Sequence, residues 1–147
     1  MKIHIKNGRL IDPKNHIDAR QDVFIAERRI VAIGKRPEGF VAALEIDAEG
    51  LMVMPGLVDL AARLREPGYE YRATLESEMN AAVAGGVTSL ACPPDTDPPL
   101  DEPALVEMLK RRARVLNQCR VFPIGALTTG LKGVELTEMI ELTEAGC

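Results

Sequence analysis

The stretch Gly56-Leu57-Val58-Asp59-Leu60-Ala61-Ala62-Arg63-Leu64-Arg65-Glu66-Pro67-Gly68 passes from an apolar alternating run into a charged loop closed by Pro-Gly. Side chains alternate along a strand, so Leu57, Asp59, Ala61 and Arg63 are expected on one face, with Val58, Leu60 and Ala62 on the other. In a parallel βα array, reactive groups gather at the carboxyl ends of strands and in the loops that follow. Asp59, Ala61 and Arg63 are then the side chains offered to a site: one carboxylate, one methyl group and one guanidinium. A lone inward carboxylate reads as structural, because nothing beside it would tune it for proton transfer. Two further loops, Pro93 to Asp101 and Thr128 to Gly133, can also carry chemistry. The second contains Thr129-Gly130-Leu131-Lys132-Gly133, which is too short for the phosphate-cradling pattern G-x-x-x-x-G-K-[ST] and reads as an ordinary loop. The only histidines, His4 and His16, precede all three loops and read as surface or packing residues.

The elements that must position these residues fall into two halves. Residues 1–54 carry short alternating runs at Lys2 to Lys6, Arg9 to Ile11, Asp22 to Ala26, Ile30 to Ile33 and Leu44 to Ile46, with turns at Asn7-Gly8, Asp12 to Asn15 and Glu27 to Arg29. Residues 55–147 alternate strand and helix: Leu57 to Ala62 then Ala73 to Ala84, Val87 to Cys92 then Glu102 to Leu116, Val121 to Leu127 then Val134 to Ala145. Asp101 is expected to cap the second helix, Gly85-Gly86 to end the first and Gly146 the third. Leu75, Met79, Ala82 and Val83 should form one core stripe, and Leu136, Met139 and Ile140 another. Lys110-Arg111-Arg112 with Arg114 reads as a solvated outer helix face. Units begin roughly thirty residues apart, the size of a βαβ repeat. A closed barrel takes eight units, so the chain is expected to be an amino-terminal fragment ending after about three.

Composition excludes several classes. The 18 Lys+Arg against 22 Asp+Glu give a formal net charge of -4, without the basic excess of a nucleic-acid binder. Cys92, Cys119 and Cys147 form no CxxC pair, which points to reduced thiols, and no run is apolar enough for a membrane span. A cytoplasmic protein is expected.

The segments "NGRLIDP", "PGLVDLAARLREPG", "AAVAGGVTSLACPPDTDPPLD" and "GALTTGLKGVELTEM" together resemble the amino-terminal third of a dihydroorotase, a cyclic amidohydrolase of the amidohydrolase superfamily. The resemblance covers essentially the whole chain. It implies an α/β fold, a metal-hydrolase (β/α)8 TIM barrel preceded by a small β-sandwich, that interconverts carbamoyl aspartate and dihydroorotate in pyrimidine synthesis. The family pattern at the first barrel strand is Pro-Gly-x-x-Asp-x-His-x-His-Leu-Arg-Glu-Pro-Gly, whose two histidines hold zinc. Their positions here are Ala61 and Arg63. Alanine has no donor atom, and a protonated guanidinium has no lone pair for a cation. Arg65 matches the arginine that clasps the substrate carboxylate. Asp95 stands where the family has a substrate-binding asparagine, replacing two amide donors with a negative charge. Pro67 and Gly68 match the closing turn and read as structural.

The resemblance therefore implies a dihydroorotase-like protein with its metal bed dismantled: no cofactor, no catalytic residue among these positions, and a vestigial substrate site at Arg65 and Asp95. It is most similar to the non-catalytic homologues that associate with the aspartate transcarbamoylase catalytic chain, which implies an assembly role in a homo- or hetero-oligomer. The alternatives are an active cyclic amidohydrolase with atypical metal ligands, and a module that senses a metabolite through Arg65. Arg63 is expected either to turn outward or to pair with a carboxylate from a strand beyond Cys147.

Overall fold

The computed structural model describes all of residues 1–147, as two compact units, Met1–Pro55 and Gly56–Cys147. The first unit has seven strands: β1 (Lys2–Lys6), β2 (Arg9–Asp12), β3 (Ile17–Arg20), β4 (Val23–Ala26), β5 (Arg29–Ile33), β6 (Leu44–Asp47) and β7 (Met52–Val53). They form two sheets, one in the order β5-β4-β1-β6 and one in the order β3-β2-β7. Glu27 and Arg28 both take left-handed φ, 52° and 63°, as a two-residue hairpin between β4 and β5 requires. Leu10, Val23, Phe24, Phe40 and Ala48 are buried. His4 packs among them, with its ring stacked 4.5 Å from Phe24 and its Nε2 2.8 Å from Asp22 Oδ2. His16 ends the short turn Pro13–Asn15 at the surface with φ 55°. Strands β3 and β7 are absent from the sequence reading. The first is exposed along nearly its whole length and the second has two residues, so neither carries an apolar alternation.

The second unit contains β8 (Leu57–Asp59), α1 (Leu75–Ala84), β9 (Val87–Cys92), α2 (Pro103–Leu116), β10 (Arg120–Pro123) and α3 (Met139–Ala145). The three strands pair in parallel, with β9 between β8 and β10. Sequential parallel neighbours joined by helices are what βα repeats of a barrel produce. Leu90 and Cys92 from β9 share one core with Leu75 and Met79 of α1, Val106, Leu109 and Ala113 of α2, and Leu142 of α3. Thr74 caps α1 in a reciprocal box with Ser77. Gly86 (φ 79°) and Gly146 (φ 99°) turn left-handed after α1 and α3.

Four expectations fail here. Residue Asp101 does not cap α2, whose cap position is Glu102 without a side-chain bond; its carboxylate instead accepts the Gly130 N–H at 2.7 Å. Val83 is exposed, leaving Leu75 and Met79 as the buried stripe of α1. The third helix begins at Met139, because the residues before it pair back onto the preceding loop: Thr129 N–H donates to Glu135 O and Thr137 N–H to Leu127 O. Leu136, Met139 and Ile140 are consequently exposed, and Leu142 with Ala145 supplies the contact instead. The basic run does lie on the exposed outer face of α2, with two of its members bonded there. Lys110 Nζ donates to Ala145 O at 2.6 Å at the end of α3, and Arg112 reaches the carboxylate of Glu66. No helix is long and apolar enough to cross a membrane.

Candidate functional site

The carboxyl ends of β8, β9 and β10 lead into three loops that are bound to one another. Between the first and second, Asp97 N–H donates to Pro67 O at 3.1 Å. Gly68 lies so close to Asp97, at φ 95°, that a Cβ there would collide with the Asp97 carbonyl oxygen. Between the second and third, Ala126 N–H donates to Leu100 O at 2.8 Å, beside the Asp101 to Gly130 bond. Thr96 is buried, and its hydroxyl donates to Pro98 O at 2.8 Å. Backbone contacts of this kind set the separation of the loops without relying on long side chains.

Across the first two loops, Arg63 Nε donates to Asp95 Oδ2 at 2.6 Å. Within this chain the carboxylate that pairs with the half-exposed Arg63 comes from 32 residues away. The bond and charge of Asp95 raise the Arg63 guanidinium above its ordinary range, so the group stays cationic at every accessible pH. The charge of Asp95, which alone would repel an anion, is compensated. Exchanging Arg63 for Met, Asp95 for Asn, and both together should give non-additive losses of stability in urea unfolding. The coupling should shrink with added salt, because both groups are about half exposed.

Leu57 pairs with Val87 and Asp59 with Leu90, and the residue skipped at the register shift, Thr88, lies on β9, so alternation along β8 itself holds. Val87 and Leu90 both pack in or against the core that the helices cover, which puts Asp59 on that side and not on the expected barrel-axis side. Its carboxylate accepts the Ala61 N–H at 2.9 Å, closing the bend that ends β8. Ala61 offers only its methyl group. Arg65 is half buried in a left-handed conformation, φ 63°, and lines a cavity of about 510 Å³ together with Asp59, Arg63, Arg72 and Glu78. Arg72 lies over the rings of Tyr69 and Tyr71, 5.7 and 5.4 Å from their centroids.

One group escaped the sequence reading. Glu66 is buried to 3% exposure; its Oε2 accepts the Leu75 N–H that opens α1, at 3.0 Å, and its Oε1 meets Arg112. Cys92 ends β9 directly before the second loop. Burial pushes its thiol up, the Leu64 backbone bond lowers it by less and Asp95 raises it further, so it stays a neutral thiol. The donor set does not fit the family's zinc: Ala61 has nothing to donate, Arg63 is a bound cation, and no three His, Cys, Asp or Glu side chains cluster to hold a metal ion.

Residues 50–147 match the model of the family described as Dihydro-orotase-like. The chain belongs to the dihydroorotase-like family. Over all 147 residues this dihydroorotase-like chain is 49% identical to a dihydroorotase-like protein of Pseudomonas aeruginosa and 50% identical to one of Pseudomonas putida. It is 45% identical to a dihydroorotase of Pelobacter propionicus. It spans about 35% of the length of each of these relatives. Among solved structures it is similar to the L-hydantoinase (dihydropyrimidinase) from Arthrobacter aurescens, with a TM-score of 0.73 and 25% identity over 86% of this chain and 28% of that one. The α/β arrangement is thus that of part of a TIM-barrel hydrolase.

Proposed function

We propose that the full-length protein containing this chain is a non-catalytic dihydroorotase-like subunit of pyrimidine biosynthesis that assembles the aspartate transcarbamoylase catalytic chain. The observation that carries this reading is the Arg63 to Asp95 ion pair. A position where the family places a zinc ligand is tied by a strong hydrogen bond to a position where it places a substrate contact. Both changes belong to one rearrangement, and a first barrel strand without these two histidines loses part of the hold on the metal that activates water in the family's hydrolysis. The name dihydroorotase-like protein, carried by two relatives near 50% identity, supports the same reading. Arg65 keeps its place as a carboxylate arm, and Asp95 is a vestige of the substrate site turned to a structural use.

The relatives named dihydroorotase favour a second reading, an active cyclic amide hydrolase whose ligands come from residues outside this chain. Metal analysis and assay separate the two. Full-length protein purified without chelator should carry far less than one zinc per chain and leave dihydroorotate unhydrolysed. One zinc per chain together with hydrolysis would establish the second reading.

A further inference from the structure

Arg65 shares its cavity with Asp59, Arg63, Arg72 and Glu78, and its backbone is held in a conformation that L side chains rarely adopt. No carboxylate of the chain pairs with it. Its neighbours are both fixed. Leu64 is 1% exposed within the helix-covered core, and Glu66 is buried between the first turn of α1 and the guanidinium of Arg112 on α2. The turn is closed behind Arg65 by Tyr69 N–H donating to Arg65 O at 2.9 Å. Leu64 and Arg65 both line the cavity, and with Leu64 and Glu66 buried on either side Arg65 takes a left-handed φ of 63°.

One of those two anchors is unusual. A buried carboxylate needs compensation for both oxygens. The oxygen Oε2 has the helix amide, but Oε1 has no hydrogen-bond partner and depends on the Arg112 cation alone. Arg112 itself sits on the outer side of α2, with its side chain 57% exposed, 47 positions along the chain from Arg65. Without it, Glu66 would have to move toward solvent, and the neighbouring Arg65 would lose the constraint that fixes its direction.

We propose that Arg112 and Glu66 are positioning residues that aim Arg65 into the cavity, so that an outer helix controls how the site holds a carboxylate ligand. The inference rests on the reading of Arg65 as a carboxylate arm. The test uses the full-length protein, with carbamoyl aspartate as the probe in calorimetry and crystal structures of the variants. Arg112→Met should weaken the probe about tenfold and release Arg65 from its left-handed φ, while Arg112→Lys, which keeps the charge, should preserve both. Arg65→Met should abolish binding. Unchanged affinity and an unchanged Arg65 backbone in Arg112→Met would overturn the positioning role. If the wild-type protein binds no probe but Arg65 leaves its left-handed φ in Arg112→Met, the ligand reading falls and the positioning role stands.

Discussion

Gly68→Ala is expected to destabilise the protein by about 3 kcal/mol, measured by urea unfolding of the full-length protein. About 1 to 2 kcal/mol comes from placing an L side chain at a positive φ, here 95°. The rest comes from collision: the new Cβ would meet the Asp97 carbonyl and must push the second loop away. That displacement also stretches the Asp97 to Pro67 hydrogen bond and the Arg63 to Asp95 pair, which span the same two loops. The variant should therefore report on the site as well as on stability, with a larger loss than either single change in the ion pair. A loss below about 1 kcal/mol would mean that the loops are not packed as described.

Leu90→Ala should cost a similar amount, about 3 kcal/mol and within the span of buried leucine truncations. Leu90 is 2% exposed on β9, the central strand of its sheet, and packs in the same core as α1 and α2. A truncation there opens a cavity that no flexible neighbour can fill, since the surrounding side chains belong to three different elements. By contrast, Val83→Ala should be nearly neutral, because Val83 is 43% exposed. A ranking with Val83 above Leu90 would contradict the observed face of α1.

The repeating βα organisation was legible because it is written in local periodicity. The start of β9 follows from the Gly85-Gly86 pair before Val87 and its end from Pro93-Pro94 after Cys92, and α2 follows from Pro103 at its first turn. The site was legible only in its residue types. That Arg63 faces Asp95, or that Arg112 supports Glu66, depends on two segments meeting in space, and neither segment shows a periodic mark of the meeting. The face of Asp59 depends on which side of the sheet the helices cover, and alternation alone does not say which side that is. The stretch before α3 has helix-like apolar spacing, yet its amides are better satisfied by pairing with the loop at Thr128 to Thr129. In each case a long-range contact overrode a local pattern.

Arg63 and Asp95 neutralise each other and bind two loops at the strand ends.

The assembly role is tested by mixing the purified full-length protein with aspartate transcarbamoylase catalytic chains and following both by analytical ultracentrifugation with activity measured across the boundary. One co-sedimenting species is expected that contains both chains, carries transcarbamoylase activity and does not hydrolyse dihydroorotate. Separate sedimentation of the two proteins, with dihydroorotate hydrolysis travelling with the dihydroorotase-like protein, would contradict it.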